Sequence, residues 1–543
     1  MSIYHPGLSR SKQPIQELAP ASLLSQLVSR LHGANLIGLA GGVVALLCLL
    51  LLHEPWNMLA PLYLAIVIWC IISPRATLYL LPLAIPWGYL DPIMPNPPPL
   101  STADLLVGLL IAGWLLGFVL RPFVSRRDYL AGPLDREEAH VPTYLILAMC
   151  ALLLMMIIST VSALSLMLSV KEIVKWGEVL IILLLAGQYI RTRRQIWLLV
   201  VIICLAALSQ AFFGYAQYFF NLGPASFIRA ASLRVYGSFD QPNPYAGYID
   251  MTLTITLSLT LLSRNVMVRV LAGLATLLLG YAFYLSQSNG GQLALAAAVF
   301  FIVTVGMPRL RPIMWSGVIL LLALFGAYLL NKLPAFLLKP LLKLLELVGF
   351  VPISFASPSA QDFSVAERLA HWYAGIHMFQ DHPFTGVGIG NYPEAYPNYY
   401  ITIFTNPLGH AHNFYINMAA ETGIFGLIAF LLFLTAIFVA SASAYRALNQ
   451  RYVELKKQRA HPHAGTTSLQ ARTSYVRLQT LSIDRALAIG LIASLISVCV
   501  HNTVDDLYVH SMTILFALLP VMLMRLERIT RNSDNSGGRL DFR

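Results

Sequence analysis

His412-Asn-Phe-Tyr-Ile-Asn-Met-Ala-Ala-Glu-Thr-Gly-Ile-Phe-Gly-Leu-Ile-Ala-Phe-Leu-Leu-Phe-Leu-Thr-Ala-Ile-Phe-Val-Ala440 opens on a histidine, two asparagines and a glutamate and runs out into apolar sequence. Its second half is an apolar helix that enters a bilayer, and its first half is the polar edge of that helix. The whole chain repeats this character. Of 543 residues, 57% are hydrophobic and 11% charged, against roughly 25% charged in soluble domains. Mean hydropathy is +0.68. The chain reads as an all-α polytopic integral membrane protein.

Apolar runs near the roughly 20 residues that a bilayer crossing needs number about fourteen, with 12–14 as the expected range. They fall at 35–53, 57–73, 76–90, 103–120, 142–164, 173–190, 196–219, 245–263, 266–285, 291–307, 313–331, 415–444, 486–503 and 508–524. With residues 1–34 inside, the connectors alternate and the basic clusters share one side: Arg121/Arg126/Arg127, Arg191/Arg193/Arg194, Arg264/Arg269, Arg309/Arg311, the 445–485 loop and the tail 526–543. That side holds 28 of the 36 Lys and Arg, leaving Lys171, Lys175, Arg229, Arg234, Lys332, Lys339, Lys343 and Arg368 outside. The positive-inside rule makes both termini cytoplasmic. The net charge of +11 is then a topology signal, answered by anionic lipid and not by nucleic acid. The five cysteines lie in apolar runs without CxxC spacing, so neither disulfides nor zinc is expected.

This arrangement divides membrane helices at 35–331 from those at 413–525 by a large extracytoplasmic loop, 332–412. Its start, 333–350, is apolar but broken by Pro340, Lys339, Lys343 and Glu346, and reads as an interfacial helix. The aromatic stretch from Tyr392 to Phe404 suits a membrane aromatic belt or contact with carbohydrate. On the helix after His412, Ile416, Ala419, Gly423 and Gly426 share a small face fit for close packing. Asn413, Asn417 and Glu421 form a polar stripe, and a glutamate that deep in a membrane helix marks a functional site.

The run Gly409-His-Ala-His-Asn-Phe-Tyr-Ile-Asn-Met-Ala-Ala-Glu-Thr-Gly-Ile-Phe-Gly426, with His-Asn followed by Gly-x-x-Gly, resembles the signature of the O-antigen ligase and polymerase superfamily. Two further stretches are similar to that family's segments: Arg234-Val-Tyr-Gly-Ser-Phe-Asp-Gln-Pro-Asn-Pro-Tyr-Ala-Gly-Tyr248, and Arg368 through Gly388. The resemblance covers roughly residues 200–430. It implies a GT-C-type, metal-independent, inverting glycosyltransferase of the cytoplasmic membrane, without cofactor. The donor would be a polyprenyl-pyrophosphate-linked glycan and the acceptor a hydroxyl on a lipid or glycan. His412 is then the general base or acceptor orienter, and Arg368 the pyrophosphate contact. Arg234, Asn413, Asn289 and Lys175 are the other expected substrate contacts, with Asn243, Glu421, Gly423 and Gly426 in support.

One departure stands out. Where the family commonly has Ser-Arg-Gly, this chain has Ser288-Asn289-Gly290, so either Arg234, Lys175 or Lys171 supplies the missing charge or donor handling differs from a typical ligase. Asn243-Pro244 reads as an N-cap with proline at the first helical position. Gly386-x-Gly-x-Gly390 resembles a phosphate-cradling loop, but no strand precedes it. His410-x-His412 lacks a nearby carboxylate at ligand spacing, so a metal is not expected. His501-Asn502 with Asp505-Asp506 either lines the same cavity or forms a solvated connector. The competing function is transport, for example inorganic-carbon uptake; it would need intramembrane charges and paired halves, which are not evident.

Overall fold

The structure is a computed structural model that describes residues 56–88, 101–120, 141–229, 232–347, 363–401, 403–460 and 468–535. The expected segment 1–34, the first span at 35–53, and residues 348–350 of the interfacial segment lie outside the described residues. Residues 1–72 form one compact unit, in which helix α1 (Trp56–Ile72) is described, and residues 73–543 form a second.

In the second unit the helices are α2 (Pro74–Trp87), α3 (Thr102–Leu120), α4 (Thr143–Ser159), α5 (Leu166–Tyr189), α6 (Arg193–Phe220), α7 (Pro242–Leu262), α8 (Val266–Ser286), α9 (Asn289–Gly306), α10 (Arg311–Leu329), α11 (Ala335–Leu347), α12 (Phe363–Asp381), the single turn α13 (Tyr392–Ala395), α14 (Phe414–Ala460), α15 (Ser468–His501) and α16 (Met512–Asn535). The only strands among the described residues are a two-stranded antiparallel ribbon, Ile228–Arg229 with Ser232–Leu233. Every span expected between 57 and 524 is met by a helix. Nine helices among the described residues are long and apolar enough to cross a membrane.

Helix α7 is central, packed by α8, α9 and α15. It is buried on nearly every side, and along its second half hydroxyl residues alternate with large apolar ones. Those hydroxyls bond back to helix carbonyls (Thr254 to Met251, Thr256 to Leu253) or across to α15 (Ser258 to Ala486), which is how threonine and serine are tolerated inside a helix. Helix α10 is the opposite case. None of its residues is buried in the protein, so its apolar surface faces lipid.

The connectors sort to two ends, as the charge pattern requires. At one end Ser165 N bonds Asn391 Oδ1 at 2.6 Å, Phe414 N bonds Asn502 O at 2.9 Å, and Ser101 meets Ser511 at 3.1 Å. At the other end the basic clusters are tied down: Arg193 pairs with Asp484 at 2.8 Å, Arg525 Nε donates to Ile190 O at 2.6 Å, and Arg485 donates to Val305 O at 3.3 Å.

The glycine of the histidine helix behaves differently from its expected packing role. α14 breaks at Gly423 (φ 66°, ψ −169°), so residues 416, 419, 423 and 426 do not share one continuous helical face. A Cβ on Gly423 would lie 2.4 Å from the Phe384 backbone. Gly423→Ala should therefore cost on the order of 2 kcal/mol or more, seen as a lower Tm in detergent. Gly317→Ala, with nothing within 4 Å of its added carbon, serves as the control and should leave Tm unchanged or slightly raised.

Candidate functional site

The site begins with the break at Gly423, because a helix that stops bonding to itself leaves carbonyls to satisfy. The glycine loop 386–390 satisfies them. Val387 N donates to Ala420 O at 2.9 Å and Gly388 N to Glu421 O at 3.0 Å, while Ile424 N reaches back to Pro383 O at 2.8 Å. The loop approaches so closely that a Cβ on Gly386 would sit 2.2 Å from the Glu421 carbonyl carbon. Its N–H groups are thus spent on protein, and it is a clasp, not a phosphate cradle. Glu421 is buried and accepts from Tyr392 N at 2.9 Å, which fixes the start of α13. Tyr392 and Tyr396 are fully buried and stack around His371, with the His371 and Tyr396 rings 4.6 Å apart. These two tyrosines are core of the segment that precedes α14 and belong to neither an aromatic belt nor an open sugar platform.

His412 sits in the connector entering α14 with φ +50°, a conformation that costs a non-glycine residue free energy and persists where neighbours over-determine it. Three contacts do so. Its N–H donates to His410 Nδ1 at 3.1 Å, its carbonyl accepts from Trp372 Nε1 at 3.1 Å, and its Nδ1 meets Asp505 Oδ1 at 3.2 Å. Below lies an apolar floor of Trp176, Phe414, Phe430 and Tyr508, with Phe414 and Tyr508 centroids 4.6 Å apart.

The remaining expected residues divide. Arg368, on α12, is largely buried, and its Nε has no protein partner. Burial pushes its pKa down, opposed by the charges of Asp505 and Glu367. Lys175 is engaged: it pairs with Glu172 at 2.6 Å and donates to Tyr508 O at 2.9 Å. Asn413 is a helix cap, its Oδ1 accepting from Tyr415 N and Ile416 N at 3.0 and 3.1 Å and its Nδ2 donating to Thr503 O at 2.8 Å. That leaves little of it for substrate, a correction to its expected role. Asn243 is not the cap of α7. Gln241 holds that position, and Asn243 Oδ1 accepts from Arg234 at 3.1 Å. Arg234 also donates to Ser286 O at 3.0 Å, which sets its guanidinium three residues from Asn289. Ser288 caps α9 through Gly291 N. Gly426 abuts Thr422, whose Oγ1 would lie 1.9 Å from an added Cβ.

Sequence reasoning did not single out His371, and it left His501 and Asp505 between a cavity wall and a solvated connector. Asp505, 93 residues beyond His412, is buried, as are His501, Asn502 and Asp506, so this segment is no solvated connector. Burial works against the Asp505 charge, but the hydrogen bond from His412 and the neighbouring imidazoles of His412, His410 and His501 together hold the carboxyl below the usual range. His371 was hidden within a helix, and His501 in a membrane segment; a Cβ on Gly290 would lie 2.9 Å from His501 Nε2. His371 Nε2 and both His501 nitrogens are buried without a protein hydrogen-bond partner, which is uncommon in folded proteins. Asp505 also overturns the argument that no carboxylate lies near His410-x-His412: the three offer ligand atoms within 4.8 Å of one another, a spacing that fits a divalent ion.

Burial lowers His371 to a pKa of about 3, and His410 likewise. The unfolded chain takes up protons at these residues as pH falls through about 6.5, whereas the folded state does not until far lower. Stability is therefore greatest above pH 6.5 and declines on acidification. Thermal melts from pH 7.5 to 5 should show a falling Tm, and His371→Gln should flatten that slope.

Residues 274–431 match the family model described as O-antigen ligase. The match runs from α8 through the external loop and His412 to the first part of α14, and stops short of Asp505. No curated protein matches the chain. The helices make the chain a multi-pass membrane protein, and the matched domain supports an O-antigen ligase- or polymerase-like family.

Proposed function

We propose that the protein transfers a glycan from a polyprenyl-pyrophosphate donor to an acceptor hydroxyl at the extracytoplasmic face of the cytoplasmic membrane, as an O-antigen ligase or polysaccharide polymerase. The contact between His412 Nδ1 and Asp505 Oδ1 carries the reading. An ionised carboxylate only accepts, so it keeps the proton on Nδ1 and leaves the Nε2 lone pair as the base. The acceptor O–H gives its proton to Nε2 as its oxygen bonds the anomeric carbon. The carbon–oxygen bond to pyrophosphate breaks on the opposite face, its electron pair leaving with the phosphate, and the centre inverts.

Negative charge grows on the leaving pyrophosphate, and a guanidinium that grips two oxygens stabilises that growth. Arg368, with its buried and unpartnered Nε, suits this task. Arg234, anchored beside the start of α9, supplies a cation near the position where Asn289 replaces the family's arginine. Lys175 is neutralised by Glu172, and its role is to hold the 505–508 connector. Transport has weaker support: Asp250, deep in α7, is sealed from solvent and bonded to Ser497, which opens no path.

The assay is transfer by detergent-purified protein from a polyprenyl-pyrophosphate glycan to a panel of hydroxyl acceptors. His412→Ala should lose roughly a hundredfold or more in kcat while still binding donor. Arg368→Ala should raise the donor KM as well, and Arg368→Lys should not restore it, because an ammonium lacks the planar fork. Activity should survive EDTA. Equal transfer by the His412→Ala protein, or EDTA inactivation reversed by zinc, would remove the base from the mechanism.

A further inference from the structure

At the end of the helix layer opposite His412 lies a cavity of about 240 Å³ between the start of α4, the last turn of α5, α14 and α16. Small residues make the room: Gly187, Ala440, Ser443 and Ala444 line it where larger side chains would close it. Its wall includes Val521 and Met524, and its basic side is Arg525, Arg528 and Arg531, spaced by three on one side of α16. Glu527 also lines it, but Arg451 takes its carboxylate at 3.3 Å, so the lining stays net positive. Tyr144, 44% exposed, stands at the edge, where an amphipathic ring suits a lipid–water boundary.

We propose that this cavity binds the phosphate headgroup of an anionic phospholipid. The chemistry is that of a phosphate: three arginines line one side of a compartment whose remaining lining is mostly apolar, so one ligand must present negative charge to one side and hydrocarbon to the other. Basic pockets between membrane helices meet that description, and arginine forks match phosphate oxygens. The site joins α14 to α16, the two helices whose far ends carry His412 and follow Asp505. It stands independently of the transferase reading.

The test uses the full chain in neutral detergent, with added phosphatidylglycerol, phosphatidylcholine or inorganic phosphate. Thermal shift and native mass spectrometry are the readouts. Phosphatidylglycerol should raise Tm in a saturable way and stay bound in the gas phase, while phosphatidylcholine should do neither. Arg528→Gln/Arg531→Gln should weaken the apparent lipid affinity by roughly tenfold or more, and Arg309→Gln, at the same end but outside the cavity, should not. The mass-spectrometric count keeps the test valid if the double variant melts lower. Equal binding of phosphatidylcholine, or undiminished phosphatidylglycerol binding by the double variant, overturns the proposal. A full shift from inorganic phosphate alone overturns the lipid assignment, since a free anion would then be the occupant.

Discussion

A helix that breaks near a membrane must find new partners for the backbone groups it releases, because hydrocarbon offers none. The rest of this architecture depends on how α14 meets that demand at Gly423. The 383–390 loop accepts one released N–H and donates to two released carbonyls, so the external loop is stitched to the membrane helix by main chain instead of by side-chain contacts alone. Once stitched, Glu421 sets α13, α13 places its tyrosines around His371, and α12 carries Arg368 and Trp372 to the connector holding His412. Glycine is required at these contacts because any Cβ would collide with backbone.

The electrostatics of the site follow from burial. His371 and His410 are held neutral by desolvation, whereas the carboxylate beside His412 stays charged against its own desolvation, through the His412 hydrogen bond and the imidazoles around it. One imidazole out of the cluster is therefore poised against a carboxylate, while its neighbours contribute shape and lone pairs. That division would not arise if the cluster were open to water, where all three rings would titrate together.

Much of this was legible in the sequence, and for physical reasons. Spans are long apolar runs because a bilayer has a fixed thickness, and each expected run among the described residues is a helix. The alternation of arginine clusters is met by connectors sorted to two ends. His412 stood out because it opens an apolar helix within a run that resembles the family signature, and Arg368 because few arginines fall on that side of the expected topology. What stayed hidden was whatever depends on contact between distant segments. Asp505 stood between a cavity wall and a solvated edge because nothing local distinguishes a buried carboxylate from a wet one; its partner lies 93 residues away. Asn413 has the residue type of a ligand contact and the spacing of a cap, and only its bonds to Tyr415 and Ile416 decide. Gly423 at helical spacing resembles a packing glycine, and its positive φ leaves no trace in periodicity.

The position of Asp505 has a bearing on biosynthesis. The nascent chain emerges in order, so His412 is translocated well before the α15–α16 connector that steadies it. During that interval the strained connector at His412 lacks one of its three anchors, and α14 lacks two of the helices it packs against. The contact between His412 and Asp505 thus forms only once the α15–α16 connector is in place, so the order of synthesis sets the order in which this cluster is assembled.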